Sequence, residues 1–213
     1  MPQTVWIARH GNRIDFVNPA WFNTAERRYD PHLSEDGEIQ AKQLANRLVG
    51  EGITQIIASP FLRTVQTANA VAERLDLSIK LDWGLGEWLN PDWMSFPETL
   101  PPEILAQKFP RIDLSYPVGV FQYPETWEEC LKRTADTAKR LVKTFPQDDL
   151  LLVGHGASVL GTAMALIPSL KENEMKAALC CLFKLVQHQN QWILELKGDT
   201  SHLTEAETVI RFN

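Results

Sequence analysis

Along this chain, short apolar runs alternate with longer amphipathic stretches. Val5 to Ala8 is an apolar run with β-branched and aromatic members, closed shortly afterwards by Gly11, and it predicts a buried strand. A helix follows from Ser34. The serine caps it, Glu35 and Asp36 suit the positive end of its dipole, and Ala41, Leu44, Ala45 and Leu48 recur at helical spacing. Ile53 to Ala58 predicts a second strand. Ser59 and Pro60 then predict a cap with proline at the first helical position, and Val65, Ala68, Ala72 and Leu75 stripe one face of that helix. Ser78 to Leu81 reads as a short alternating strand.

From Trp83 to Glu125 the pattern changes. Seven of the 13 prolines fall here, among large aromatic residues that include Trp88, Trp93, Phe96 and Tyr116. Linkers are poor in such residues, so the stretch predicts an inserted lid. Thr126, with Glu129 three residues on, forms a capping box for a long helix striped by Trp127, Leu131, Ala135, Ala138 and Leu141. Leu150 to Val153 is uniformly apolar, as a strand buried on both faces would be. It runs into Gly154, His155, Gly156 and a further helix to about Ile167. Leu182 to Leu196 alternates and predicts a hairpin at the sheet edge. Strands alternating with amphipathic helices give the expected fold class: α/β, a three-layer α/β/α sandwich around a mostly parallel sheet. One domain over 1–213 is expected, with the insertion at about 83–125.

Composition narrows the function. The net charge is -6 with no basic tract, which argues against a nucleic-acid or membrane-surface partner. No apolar stretch approaches the length of a membrane span, and the N-terminus lacks the basic lead-in and cleavage site of a secretory signal. A cytoplasmic address is expected. Cys130, Cys180 and Cys181 form no CxxC pair and the five histidines form no HExxH, so neither a metal nor a cofactor is expected.

Three predicted strands end in groups that can handle phosphate: Arg9-His10-Gly11, Ser59 to Arg63, and Gly154-His155-Gly156. In open α/β sheets ligands bind at the carboxyl ends of strands, so segments far apart in sequence can share one cleft. Arg63 falls in the first turn of its helix, where backbone N–H groups already favour an anion. Arg9, Arg13 and Arg63 each offer a planar fork of donors suited to phosphate oxygens. A neutral imidazole at His10 can attack phosphorus, while the arginines and His155 offset the charge of the transferring group. Glu87, in GLGEWL after the third strand, is the best-placed carboxylate to protonate the leaving oxygen and then activate water. An anionic phosphate and a tryptophan near it are expected to raise its pKa, as a general acid requires. Asp15 is the next candidate for that role, and His32 lies near enough to a helix start to sit on the rim. Trp88, Trp93 and Phe96 are expected to form an apolar rim that prefers aromatic or hydrophobic phosphomonoesters.

Together, IARHGNR, DPHLSEDGEIQAKQLA, IIASPFLRTVQTA, GLGEW, ETWEECLKR and LLLVGHGASV resemble the histidine phosphatase superfamily, the phosphoglycerate-mutase-like proteins. The resemblance implies that His10 is the phosphorylated nucleophile, that Arg9, Arg63 and His155 form the phosphate pocket, and that Glu87 is the proton donor. Arg13 fits a subgroup with RHGxR. RHGNRIDF with GLGEW is most similar to the phosphatases that dampen T-cell receptor signalling and to the insect ecdysteroid-phosphate phosphatases. Those relatives carry adaptor domains with no counterpart in this sequence, so no signalling role is implied. The true mutases follow their RHG with a different pattern. The expected activity is phosphomonoester hydrolysis without a cofactor, on a phosphorylated small molecule or a phosphoprotein, by a monomer or homodimer. A phosphoglycerate-type mutase is the alternative, and a non-enzymatic phosphate-binding module is the second.

Overall fold

A computed structural model describes residues 2–189 and 191–206. Its first strand, β1 (Thr4–Arg9), is buried along its whole length. Beside it runs β4 (Leu150–Gly154), parallel, followed outward by β2 (Gln55–Ala58) and β3 (Ile79–Leu81), so four parallel strands form one half of the sheet. On the other side β5 (Leu182–His188) pairs antiparallel with β1, and β6 (Gln191–Asp199) pairs antiparallel with β5. The order is β3-β2-β4-β1-β5-β6.

Strand alternation sends successive side chains into two cores. Trp6, Ala8, Leu151 and Val153 face helices α2 (Glu35–Arg47) and α3 (Leu62–Leu75). Val5, Ile7, Leu150 and Leu152 face α5 (Trp127–Thr144) and α6 (Gly156–Leu166). The continuous apolar runs of β1 and β4 are therefore explained by helices on both faces. The three-layer sandwich expected from sequence is the observed architecture, with the edge hairpin in the expected place.

Cap chemistry is met where it is local. Ser34 accepts from the Gly37 N–H at the start of α2, and Thr126 with Glu129 forms the reciprocal box at the start of α5. The buried face of α5 is carried by Cys130, Thr134, Thr137, Ala138 and Leu141, a stripe rotated from the expected one. The expected Ser59 cap does not form, and α3 begins at Leu62. The Leu62 N–H is instead taken by Asp30 Oδ1 at 2.7 Å, a cap delivered from a distant loop. Ser59 is used elsewhere, in the site.

Segment 83–125 is more structured than its composition suggests. It contains a 3-10 turn at Trp83–Leu85 and helix α4 (Pro102–Lys108), and buries Leu85, Leu89, Leu105 and Ile112. Ile79 donates its N–H to the Arg111 carbonyl and accepts from the Asp113 N–H, both at 2.8 Å. The segment thus covers the outer edge of β3, which would otherwise present unpaired backbone. A four-residue helix, α1 (Ile14–Val17), and a 3-10 turn at Pro19–Asn23 occupy the loop after β1. Among the described residues no helix is long and apolar enough to cross a membrane.

Candidate active site

The parallel strands β1, β2 and β4 all end on one side of the sheet, and their next residues converge there. His10 follows β1, Ser59 follows β2 and His155 follows β4 as the N-cap of α6. The chain leaving β1 passes so close to α2 that a Cβ on Gly11 would meet the Gly37 carbonyl oxygen at 2.6 Å. Only glycine fits there. That is why a glycine follows the histidine. The Gly11 N–H is taken by Thr67 Oγ1 at 3.1 Å, which ties the loop to α3.

His10 is fully buried, and its ring meets that of His155 edge-on, with centroids 5.3 Å apart. Its Nδ1 lies 2.7 Å from the Gly11 carbonyl. A carbonyl only accepts, so Nδ1 carries the proton and Nε2 carries the lone pair. Nε2 is buried and has no hydrogen-bond partner among the described residues. Burial, followed by the charges of Arg63 and Arg9, holds the imidazole well below its usual pKa. At neutral pH His10 is a neutral imidazole, protonated at Nδ1 and bare at Nε2.

Arg63 Nη2, Glu87 Oε2 and His155 Nδ1 form a triangle. The arginine nitrogen lies 3.2 Å from the carboxylate and 3.1 Å from the imidazole, and the last two are 3.2 Å apart. His155 Nε2 lies 2.9 Å from Ser59 Oγ. Burial lowers the His155 pKa to about 4, against the pull of Glu87, and lowers that of Arg63 to about 10, which leaves the guanidinium charged at neutral pH. Burial alone would raise Glu87, but His155 and Arg63 outweigh it and hold the carboxyl below the ordinary carboxylate range. The raised pKa expected from sequence is therefore not a property of the resting site.

Arg9 is buried and donates to the Ala177 carbonyl at 2.7 Å, with its charge acting on both histidines. Arg13 lines the cleft, where its Nε donates to Asp15 Oδ1 at 2.9 Å and its Nη2 meets Oδ2. Asp15, bound to that guanidinium, is the weaker candidate for an acid. The donor atoms of His10, Glu87 and His155 lie within 4.8 Å of one another, a spacing open to a metal ion. The guanidiniums of Arg9 and Arg63 around them suit an anion better than a cation.

Above this cluster opens a cleft of about 520 Å³, lined by Arg13, Phe16, Phe22, Tyr29, Arg63, Glu87 and Trp93 among others. Of the three expected rim aromatics only Trp93 lines it. Trp88 is clamped between Trp93 and Trp127, and Phe96 packs on Phe121 and Tyr123. His32 packs edge-on against Trp21 and is not among the lining residues. Phe16, Phe22 and Tyr29 take the missing places, from a loop whose sequence lacks periodicity. Thr67 and Asp30 escaped sequence reasoning, as did the bond between Ser59 and His155. The partners of these hydroxyl and carboxyl groups, the Gly11 N–H, His155 Nε2 and the Leu62 N–H, lie up to 96 residues away, so nothing local announces the pairings.

A buried imidazole with a bare nitrogen is thus set among guanidiniums at the carboxyl ends of parallel strands in an α/β fold. The family model of the histidine phosphatase superfamily (branch 1) matches residues 5–200, and the chain belongs to that superfamily. It is 27% identical over 247 residues to the transcription factor tau 55 kDa subunit of Saccharomyces cerevisiae, covering 96% of this chain but spanning only 57% of that protein. It is 30% identical over 215 residues to the probable phosphoglycerate mutase GpmB of Proteus mirabilis, covering 94% of this chain and 95% of that one. The crystal structure of the Bombyx mori ecdysone phosphate phosphatase in complex with tungstate matches with a TM-score of 0.79. That match covers 99% of this chain and 98% of that one at 20% identity, a likeness of fold.

Proposed function

We propose that the chain hydrolyses phosphomonoesters through a covalent phosphohistidine on His10. The observation that carries this reading is the Nδ1 bond to Gly11 at 2.7 Å, which leaves a lone pair on a buried Nε2 beside two guanidiniums. Nε2 attacks phosphorus as the bond from phosphorus to the ester oxygen breaks, and Glu87 gives that oxygen its proton. Water then attacks the phosphohistidine, Glu87 takes the water's proton, and the N–P bond breaks to release inorganic phosphate. Arg9, Arg63 and His155 offset the charge on the transferring oxygens, with Arg13 at the mouth.

For this role Glu87 must be protonated when substrate is bound. A phosphate dianion bound between the Arg63 guanidinium and the His155 imidazole places negative charge beside the carboxyl and engages the groups that now hold it low, and so moves its pKa upward. The aromatic lining from Phe16, Phe22, Tyr29 and Trp93 favours an aryl or otherwise hydrophobic phosphomonoester, either a small molecule or a phosphoprotein side chain. The acidic chain fits a cytoplasmic enzyme that works without nucleic acid, membrane or cofactor.

Rapid acid-free quenching during turnover should trap base-stable, acid-labile phosphate on His10, and His10→Ala should trap none and turn over nothing. Phosphate mapped to another residue overturns the assignment. Mutase activity is the second reading, favoured by the 30% identity to a probable phosphoglycerate mutase. Exchange of 2- and 3-phosphoglycerate in the presence of 2,3-bisphosphoglycerate, faster than phosphate release, would establish it.

A further inference from the structure

Glu87 is carried by a short turn rather than by a regular element. Residues 83–87 pass from β3 into the insertion through one 3-10 turn, with glycines at 84 and 86. The shape of that turn comes from outside it. Arg133, on α5, donates from Nη1 to the carbonyls of Trp83 at 3.2 Å, Gly84 at 3.1 Å and Gly86 at 3.3 Å, and from Nη2 to the carbonyl of Glu87 itself at 2.9 Å. One guanidinium thus collects four carbonyls of five consecutive residues.

The cation is held in turn by Glu125. Its Oε2 accepts from Arg133 Nε at 3.0 Å, its Oε1 from Nη2, and Oε1 also takes the Leu89 N–H at 3.2 Å. The Glu125 side chain is only 4% exposed. One helical turn beyond Arg133, Thr137 presses on the same loop, and a Cβ on Gly84 would lie 2.0 Å from its hydroxyl. The turn is therefore seated on α5 by both contact and hydrogen bonding. At its end the Glu87 carboxylate has one oxygen on the Trp88 N–H at 3.0 Å and the other toward Arg63 and His155.

We infer that Arg133 is a positioning residue for the reaction: it fixes residues 83–87 in the backbone shape that aims the Glu87 carboxylate at the phosphate pocket. The inference rests on the reading of Glu87 as proton donor. Arg133 touches no reacting atom and acts only through Glu87. Its planar fork is required, because a lysine ammonium can face Glu125 but cannot span the carbonyls of Trp83 and Glu87 together. Displacing a proton donor slightly costs rate more than binding.

The test is a double-mutant cycle in the full chain, comparing wild type, Arg133→Lys, Glu87→Gln and the double variant on an alkyl phosphate and on p-nitrophenyl phosphate. Arg133→Lys keeps a cation opposite Glu125. It should lower kcat on the alkyl phosphate by roughly 10- to 100-fold, leave KM nearly unchanged, and affect the aryl ester far less. Added to Glu87→Gln, it should cost nothing further. Losses that are equal on the two esters while Glu87→Gln discriminates between them, that multiply in the double variant, or that are absent altogether overturn the inference. If Glu87→Gln itself fails to distinguish the esters, the proton-donor reading falls, and the double variant alone decides whether Arg133 acts through Glu87. Should lysine at 133 prevent folding, Glu125→Gln, which loosens the same fork, is read in the same cycle with the same expectation.

Discussion

Arg63 Nη2 stands 3.1 Å from Nδ1 of His155 and 3.2 Å from Oε2 of Glu87, joining groups 92 and 24 residues away in the chain. One buried cation thus faces both the imidazole and the carboxylate assigned to the reaction. Its Nε and Nη1 have no hydrogen-bond partner among the described residues.

Arg63→Ala should therefore lower kcat/KM by about 3 kcal/mol in transition-state stabilisation, because a charged fork is lost from a desolvated site. Arg63→Lys should recover only part of that loss, since it supplies one point charge. Steady-state kinetics on p-nitrophenyl phosphate measures both, and full activity in the lysine variant refutes the bidentate contact.

Glu87→Gln should slow alkyl phosphates far more than p-nitrophenyl phosphate. Nitrophenolate leaves without a proton, whereas an alkoxide does not. A slower second step on the aryl ester should also appear as a burst, because the same carboxylate activates water. Equal losses on both esters without a burst would transfer the acid role to another carboxylate.

Trp93 lines the cleft and Phe96 does not, so the two aromatic residues should differ on truncation. Trp93→Ala should raise KM for aryl phosphates by a factor of about five, near 1 kcal/mol of lost ring contact, with little change for a small polar phosphate. Phe96→Ala should leave both unchanged. Identical behaviour of the two variants, or a wild-type preference for sugar phosphates in kcat/KM, counts against the aromatic rim.

Asp30 makes stability depend on pH. Burial pushes its carboxyl up to about 6, against the Leu62 N–H that it accepts and the nearby Arg63 and Arg27. An acid whose folded pKa exceeds its unfolded value favours the folded state while protonated. That share of stability is complete below about pH 4 and is lost as the pH rises toward 6. Asp30→Asn keeps an oxygen for Leu62 and cannot ionise. Its stability relative to wild type should improve by about 2 kcal/mol between pH 4 and pH 7. Urea midpoints at the two pH values measure this, and a constant difference contradicts the assignment.

The layered fold was legible in the sequence because β1 and β4 are apolar on both faces and the helices between them carry clean stripes. The local caps Ser34 and Thr126 were legible for the same reason: their partners lie three residues away. The residues that the structure brings together, His10, Arg63, Glu87 and His155, could be grouped as a candidate site because each lies within a few residues of a strand end. Pairing could not be read in this way. Only tertiary structure brought Asp30 to the head of α3, Ser59 to His155 and Arg133 to the turn carrying Glu87, since those bonds cross 32, 96 and 46 residues of intervening chain. It also decided that the cleft is lined by Phe22 and Tyr29 instead of Trp88 and Phe96, because irregular backbone carries no period from which to read which way a side chain faces. Periodicity determines which face is buried. Hydrogen-bond partners remote in sequence are chosen only when the layers close.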